Sequence, residues 1–349
     1  MPLYRWTTIG AAWFLIVSSA YAQTSGEADP LFQSLDILEV RIVAPITTLV
    51  SERSNEEEIA GMFQYTNEAG ELEEIDVEIR TRGRFRRREE ICRFPPLRLN
   101  FKKSQTKKSL FHKQDKLKLV THCRNNSKRY QNTLLSEYAA YRILNQLTDT
   151  SFRVRLLRIT YTDTDKNNRE LISYGFFIES DNRLAKRLDL STIDLEQTKV
   201  SSLQPAYLNL ISVYHYLIGN TDFSPVAGAK EFCCHNHVLI GKERELLFSV
   251  PYDFDQSGIV NAPYAGANPR FKLRNVRQRL YRGRCANNNL LDATIALFKE
   301  KRDAVLSVVS EKEGIADAPN KTMSKYVGQF YKTIESPKRV QSLLVKKCI

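Results

Sequence analysis

The sequence predicts an α+β protein of two lobes, one rich in strands over residues 33–180 and one rich in helices over residues 181–349. Before residue 180, apolar residues repeatedly alternate with charged ones, as Ile75, Val77 and Ile79 do. One long helical stripe interrupts these strands at 130–147, and after residue 180 apolar residues recur mostly at helical spacing. Two lobes of this kind leave a cleft between them, where ligands commonly bind.

The individual elements follow from the same periodicities, with turn residues marking their ends. The predicted strands of the first lobe cover residues 37–46, 61–65, 72–82, 97–101, 117–121, 152–162 and 171–179. The second lobe is predicted to contain a helix from about residue 205, a hairpin at 237–241 and 246–250, and amphipathic helices at 290–310, 321–334 and 338–347. Glu137 lies within the stripe of helix 130–147, where a solvated helix former is the ordinary explanation.

The N-terminus has the composition of a secretory signal peptide. Arg5 precedes an apolar run at 9–18, and Ala20-Tyr21-Ala22 places small residues where signal peptidase cleaves. We expect cleavage after Ala22, a disordered linker over 23–32, and a periplasmic or secreted protein. An uncleaved anchor is the alternative, but the apolar run is short for a membrane span.

All six cysteines follow the predicted cleavage site. An even number of cysteines in an exported chain predicts disulfides, although six cysteines allow 15 pairings. Cys92 and Cys123 are the suggested pair because they share one strand-rich stretch, while Cys233 and Cys234 are adjacent. A zinc site is the weaker alternative, since the sequence has no Cys-x-x-Cys spacing.

Positive charge is concentrated in one stretch. The chain has a formal net charge of +12, and residues 82–130 hold 17 Lys or Arg against three acidic residues. This basic stretch predicts an anionic partner such as phosphates, nucleic acid or an envelope polymer, with a merely solvated surface as the alternative. The aromatic residues that interleave with it favour single-stranded nucleic acid only weakly, because such residues commonly face a core; they are Phe85, Phe94, Phe101 and Phe111.

Polar residues occur where the regular elements of 211–258 end. Asp222 follows the end of a predicted helix, Asn236 opens the hairpin, and Asp253 closes it with Asp255 beside it. Protein-kinase-like sites use this order: the first Asp orients or deprotonates the attacking group, and the Asn and second Asp bind a divalent metal. Oxygen ligands suit such hard cations. The alternative is that these residues only form turns, which Asp and Asn favour.

Several motifs between residues 76 and 258 resemble the spore-coat CotH family of atypical, protein-kinase-like proteins. The motifs are RTRGRF at 80–85, PPLRLNFKK at 95–103, the long segment KLKLVTHCRNNSKRYQNTLLSEYAAYRIL at 116–144, YGFFIE at 174–179, GNTDFS at 219–224, HNHVLI at 235–240 and VPYDFDQSG at 250–258. The chain departs from the family where Tyr252 stands in place of Trp and where Cys233-Cys234 lengthens the gap after Asp222. The resemblance implies a two-lobed, protein-kinase-like fold.

The resemblance also implies roles for single residues. Asp222 would be the catalytic Asp, and Asn236 and Asp253, with Asp255, would bind Mg²⁺ or Mn²⁺. Glu137 would pair with a basic strand residue, either Arg98 or Lys118, although Arg is not a simple replacement for the expected Lys. Ile178 and Glu179 would lie near the adenine of ATP.

Two functions follow, from different classes. The first is an exported, ATP-dependent phosphotransferase acting on protein or an envelope component. The second is a catalytically inactive module whose basic face holds anionic glycan or lipid headgroups. A hydrolase triad has little support, because the chain has five His and no Gly-x-Ser-x-Gly motif. The acceptor and the oligomeric state stay open.

Overall fold

The computed structural model describes residues 26–228, 233–310 and 318–349. Seven strands of the first half form a closed barrel. They are β1 (Leu38–Ala44), β2 (Ile59–Thr66), β3 (Leu72–Thr81), β4 (Leu97–Phe101), β5 (Lys116–Val120), β6 (Val154–Asp163) and β7 (Arg169–Ile178). Their order around the barrel is β1-β2-β3-β4-β5-β7-β6, and the parallel pairing of β1 with β6 closes it, while the other neighbours are antiparallel.

The predicted two-lobed, protein-kinase-like fold is therefore wrong. The first half is a closed barrel with an interior of its own. The strands were predicted from the alternation of apolar and charged residues, which shows that a strand has one buried face. Alternation does not show which strand lies beside which. The decisive pairing joins Val40 in β1 to Ile159 in β6, two strands that are far apart in the sequence.

Aromatic side chains fill much of the barrel interior. Phe101 and Phe111 stack with ring centroids 4.8 Å apart, and Phe63 meets Phe111 edge-on at 4.9 Å. A closed barrel of this size has room for side chains only, so these rings pack against one another. Phe94, Phe101 and Phe111 are all buried, and the prediction that they could stack with bases is wrong for these three.

Nine helices and a small sheet lie within the described residues. The helices are α1 (Ile46–Glu52), α2 (Lys103–Thr106), α3 (Lys128–Leu147), α4 (Asp181–Arg187), α5 (Pro205–Ile218), α6 (Leu291–Glu300), α7 (Arg302–Ser310), α8 (Ala318–Ile334) and α9 (Pro337–Leu343). The sheet has the order β10-β9-β8 and consists of β8 (Ser191–Thr192), β9 (His237–Gly241) and β10 (Phe248–Pro251). The predicted helix 290–310 is thus two helices, and α1 was not predicted.

Helix α3 joins the barrel to the helical half. Its buried residues form one core with α5 to α8 and with the outer face of the barrel at Val120, Leu156 and Phe176. The Tyr214 hydroxyl of α5 donates a hydrogen bond of 2.8 Å to the carbonyl of Ala140 in α3. The predicted boundary near residue 180 therefore does not separate the two cores, because α3 packs mainly with elements that follow it.

The described part of the predicted disordered linker packs against the fold. Leu31 and Phe32 are buried in the barrel core, and Asp29 pairs with Arg183 at 2.5 Å. Burial of apolar side chains orders residues 26–32, so the prediction of disorder is wrong there. Residues 23–25 and the predicted signal peptide at 1–22 lie outside the described residues. No described helix is both long enough and apolar enough to span a membrane.

Three disulfides pair all six cysteines. The suggested pair Cys92–Cys123 is confirmed, and the others are Cys233–Cys234 and Cys285–Cys348. Such pairing is typical of proteins in oxidising compartments. The first disulfide ties the loop between β3 and β4 to the residues that follow β5.

Candidate functional site

One guanidinium, that of Arg86, holds three carboxylates together. Its Nη1 lies 2.8 Å from Glu137 Oε2, its Nη2 lies 2.9 Å from Asp253 Oδ1, and its Nε lies 3.2 Å from Asp255 Oδ2. The Arg86 and Glu137 side chains are 9% and 1% exposed, whereas that of Asp253 is 34% exposed. The cluster thus links the loop after β3, the middle of α3 and the end of β10, and Asp253 is its outward face.

The loop that presents Arg86 is fastened from both sides. Arg53 donates hydrogen bonds to the carbonyls of Arg87, Cys92 and Arg93, at 2.8–3.0 Å. The Cys92–Cys123 disulfide fixes the same loop to the chain after β5. Because its ends are held, the loop can place a buried charge beside α3.

Burial shapes the protonation of this cluster. Desolvation raises the pKa of Glu137, and the positive charge of Arg86 opposes that rise. Desolvation also holds the pKa of Asp255 well above its usual range, against the effect of Arg86 and of a hydrogen bond with Tyr264. A buried carboxylate keeps its charge only at a cost that a paired cation offsets. Arg86 is that cation.

A second guanidinium, that of Arg82, lies beside the cluster without a partner of its own. Desolvation lowers its pKa, and the neighbouring charge of Arg86 lowers it further, while Asp253 acts in the opposite direction. Within the described ranges, its guanidinium makes no hydrogen bond or ion pair. A partly buried guanidinium in this position can donate to an anionic ligand.

Asp222 is held where α5 ends. Its backbone amide donates to Asn220 Oδ1 at 2.9 Å, and Arg282 donates to the carbonyls of the residues on either side, Thr221 and Phe223, at 3.1 and 2.8 Å. The left-handed Gly219, with φ of 66°, ends α5 just before it. These contacts fix the direction of the Asp222 side chain.

The side chains of His235 and Asn236, at the start of the hairpin, converge on that of Asp222, in the loop after α5. His235 Nε2 lies 2.9 Å from Asp222 Oδ1, and Asn236 Nδ2 donates to the Asp222 carbonyl at 2.7 Å and to Asp222 Oδ2 at 3.2 Å. The hydrogen bond with Asp222 raises the pKa of His235, and the charges of Asp222 and Asp253 add to that rise. The side chains of His235 and Asp222 are 45% and 35% exposed, so solvent reaches both.

Asn236 and Asp253 lie at the same end of the hairpin, with Asn236 opposite Tyr252. β9 pairs with β10 from Ile240 opposite Phe248 to His237 opposite Pro251, and the Tyr252 amide donates to the Asn236 carbonyl at 3.0 Å. Asn236 and Asp253 both have left-handed backbones, with φ of 55° and 59°. Non-glycine residues adopt this conformation rarely, and it recurs at functional sites. The structure therefore brings Asp222, Asn236 and Asp253 together at one end of the small sheet.

The residues predicted to contact a cofactor do not all lie at the site or keep a free side chain. Glu137 pairs with Arg86 and not with Arg98 or Lys118, so that expectation is wrong. Lys118 pairs with Asp181 at 2.8 Å and lies 5.0 Å from the centre of the ring of Tyr252, the residue before Asp253.

Arg98 lies opposite Arg80 and Lys118 in the barrel register. Ile178 is buried at the end of β7, and Glu179 is buried in a pair of hydrogen bonds with Arg187, both at 3.0 Å. The carboxylate of Glu179 is therefore committed within the protein.

The predicted metal ligands differ in what they offer. Within the described ranges, Asn236 Oδ1 and Asp253 Oδ2 make no hydrogen bond or ion pair, so both oxygens suit a hard cation. Asp255 is buried against Arg86 and Tyr264 and serves to hold them. No group of three or more His, Cys, Asp or Glu is arranged to bind a metal in the parts of the chain that the structure covers.

Sequence reasoning missed Arg86, Arg82 and His235. The first two belong to the basic run that was assigned to a surface, and nothing in a run of arginines marks which one is buried. His235 offered a weak signal, because it stands directly before Asn236. Arg86 is buried here, and the prediction that the whole run forms an exposed basic face is wrong for that residue.

Comparisons with known proteins add nothing to this geometry. No family model matches the chain, and neither does any curated protein or solved structure. The interpretation of the site therefore depends on the residues that meet in it.

Proposed function

We propose that the site binds the phosphates of a nucleotide together with Mg²⁺ or Mn²⁺ and transfers a phosphoryl group to an acceptor. The observation that carries this proposal is the convergence of Asp222, His235, Asn236 and Asp253 beside the unpaired guanidinium of Arg82. Phosphoryl transfer needs cations for the phosphates, oxygen ligands for a metal and a group that orients the acceptor.

Arg82 and Lys118 would contact the phosphates from the barrel side. Both lie around Tyr252. Lys118 Nζ is 5.0 Å from its ring, and burial raises the pKa of that phenol to about 12 against the opposing charge of Arg82. A guanidinium can donate two parallel hydrogen bonds to a phosphate, which a lysine cannot do. Arg82 would therefore be the main contact of the protein with the transferred group.

Asn236 and Asp253 would hold the metal. Mg²⁺ in phosphate sites is commonly bound by one or two protein oxygens, with the phosphates and water completing the coordination. The free oxygens of these two residues match that requirement without a third carboxylate. The bound metal would neutralise charge on the transferring phosphoryl group.

Asp222 and His235 would handle the proton of the acceptor. The acceptor oxygen forms the new bond to phosphorus, the bond from phosphorus to the leaving oxygen breaks, and the acceptor proton passes to the Asp222–His235 pair. Asp222 is catalytic in this scheme and holds the imidazole at 2.9 Å. A carboxylate that orients an imidazole is a common arrangement for a general base.

We expect the protein to be periplasmic or secreted. The acceptor would then be another protein or an envelope component in that compartment. The three disulfides support a compartment outside the cytosol. The resemblance of the motifs to those of CotH proteins supports the same reaction. We propose this reaction for the site residues only, since the fold is not the two-lobed, kinase-like one.

The test is thermal unfolding of the full chain titrated with ATP in the presence of Mg²⁺ or Mn²⁺. We expect a metal-dependent rise in Tm, because a ligand at 100 times its Kd stabilises the folded state by about 2.7 kcal/mol. Asp253→Asn should abolish the rise, measured against its own unliganded Tm. Glu170→Gln, which changes an exposed carboxylate on β7, is the matched control. No rise at millimolar nucleotide in the unaltered chain would refute the proposal.

A further inference from the structure

A ridge of three aromatic side chains crosses the surface beside the Arg86 cluster. We define the aromatic ridge as Phe85, Tyr264 and Tyr130. The rings of Phe85 and Tyr264 are 5.9 Å apart at 61°, and those of Tyr130 and Tyr264 are 6.4 Å apart at 31°. Phe85 is 39% exposed, and the two tyrosines are half-buried. The ridge joins the loop after β3, the start of α3 and the loop after β10.

Two guanidiniums lie over the outer rings of the ridge. Arg88 is 4.7 Å from the centre of the Phe85 ring, and Arg124 is 5.1 Å from that of Tyr130. A guanidinium stacked on a ring can still direct in-plane N–H groups at carboxylates or phosphates. Nη2 of Arg124 also donates a hydrogen bond of 3.4 Å to the carbonyl of Glu90. The ion pair of Arg88 with Glu90 is 3.5 Å long and exposed on both sides, so it competes weakly.

Cations outnumber acidic groups around the aromatic ridge. Arg84, Arg88, Lys128 and Arg129 are exposed there, against the carboxylates of Glu89 and Glu90. The first turn of α3 carries no acidic residue. An excess of exposed cations around apolar rings favours a partner that is both anionic and able to cover an apolar surface.

The aromatic ridge is continuous with the candidate site. Tyr264 hydrogen-bonds to Asp255, which itself contacts Arg86. The same loop continues to Asn268, whose side chain donates to the Thr221 carbonyl at 3.1 Å, one residue before Asp222. A ligand lying along the ridge would thus approach the edge of the site.

We propose that the aromatic ridge and its stacked arginines bind an acidic polysaccharide. The apolar faces of sugar rings pack on aromatic side chains, and guanidiniums bind the carboxylates of such a polymer through paired hydrogen bonds. Tyr264 lies next to both other rings, so the three form one continuous surface, whereas successive bases of a nucleic acid stack on separate ring faces. The disulfides also favour an oxidising compartment over the cytosol. Binding here does not depend on the proposed phosphoryl transfer.

The test is a titration of the full chain with fluorescent polygalacturonate, with neutral dextran as the matched polymer. We expect polygalacturonate to bind, dextran not to bind, and affinity to fall steeply between 50 mM and 500 mM NaCl because salt screens exposed charges. Phe85→Ala, Tyr130→Ala and the double change Arg88→Gln with Arg124→Gln should each weaken binding by about tenfold or more. Leu72→Ala and Arg158→Gln, which change an exposed apolar and an exposed basic side chain elsewhere on the barrel, should bind as the unaltered chain does.

The opposite results overturn the proposal. Thermal unfolding will first show that Phe85→Ala and Tyr130→Ala are each folded. If both then bind polygalacturonate as tightly as the unaltered chain, the aromatic ridge is not the contact surface. If dextran binds equally well, the stacked arginines do not select for acidic groups. Tighter binding to oligothymidylate, or to vesicles of phosphatidylglycerol, would assign the ridge to nucleic acid or to a lipid surface instead. None of these outcomes depends on whether ATP raises the Tm.

Discussion

At the scale of single residues, the main finding is that one arginine determines how the site is built. Arg86 meets Glu137 of α3, Asp253 after β10 and Asp255, so it is the contact shared by three parts of the chain. Its neighbours Arg87 and Arg88 have the same chemistry but lie nearer the surface. The difference is one of position, since only Arg86 points inward beneath the loop.

Replacement of Arg86 should be strongly destabilising. Removing one partner of a buried ion pair leaves uncompensated charge and costs about 3–5 kcal/mol, so we expect Arg86→Gln to lower the free energy of unfolding by about that amount. Arg88→Gln is the control, because an exposed pair contributes about 1 kcal/mol or less. Urea denaturation measures both. A loss of similar, small size in the two variants would contradict the assigned role of Arg86.

At the scale of elements, loops and hairpin ends carry the site and regular elements support it. Asp222 follows α5, Asn236 precedes β9, and Asp253 follows β10. Hydrogen bonds fix these loop backbones, and some come from distant parts of the chain. The Asp253 amide, for example, donates to the hydroxyl of Tyr141 in α3 at 2.8 Å. A rigid scaffold with polar residues on its loops is the usual construction of a binding site.

The Cys92–Cys123 disulfide should matter both for stability and for the site. Replacing both cysteines with serine should lower the free energy of unfolding by about 2–4 kcal/mol. It should also weaken the nucleotide-dependent rise in Tm, because the disulfide fastens the loop that presents Arg86.

The Cys285–Cys348 disulfide provides the control for that experiment. It closes a longer loop, with a sequence separation of 63 against 31, and joins the start of a 3₁₀ helix to the C-terminus. Its removal should cost at least as much stability but leave the nucleotide-dependent rise intact. Equal loss of that rise in both variants would show that the effect is global.

At the scale of the whole molecule, two cores meet at α3 and at the outer face of the barrel. Each core contains or borders a buried histidine. His122 lies beside Phe94 and Tyr161 at the barrel, and His237 lies in β9 against His215 at 3.1 Å. Desolvation lowers the pKa of His122 to about 4 and that of His237 to about 3.

These histidines should make the fold sensitive to acid. Their folded pKa values lie below the usual 6.5, so the unfolded chain binds more protons as the pH falls below about 6.5. Stability then declines by up to about 1.4 kcal/mol per pH unit for each histidine, ending near pH 4 for His122 and pH 3 for His237. His122→Gln should make the decline shallower between pH 6.5 and 4, measured by urea denaturation at each pH.

His235 should behave with the opposite sign. Its folded pKa is raised by Asp222, so its contribution is present below about pH 6.5 and is lost as the pH rises through the folded pKa. His235→Gln should therefore lower stability slightly below about pH 6.5 and leave the slope of the acid decline unchanged. The change in slope should appear above pH 6.5, where the unaltered chain loses the His235 contribution, and it should be small because the side chain is half exposed. If His122→Gln loses stability between pH 6.5 and 4 as steeply as the unaltered chain, the role assigned to His122 is wrong.

Much of the local structure was determined by the sequence itself. β4 and β9 lie where alternation and turn residues predict them, and α3 differs from its predicted bounds by two residues at one end. The order of Asp222, Asn236 and Asp253 also sufficed to predict that they meet, because a helix end and the two ends of one hairpin lie close in sequence and in space. Periodicity and turn chemistry are local properties, and these features depend on local properties.

Only the tertiary structure decided the closure of the barrel and the centre of the site. Whether β1 pairs with β6, and whether Glu137 meets Arg86 or instead Arg98 or Lys118, depends on which distant segments become neighbours. Several arginines of the same run could neutralise a buried carboxylate equally well as isolated groups. The choice among them depends on backbone direction and burial, which emerge only when the two cores pack around α3.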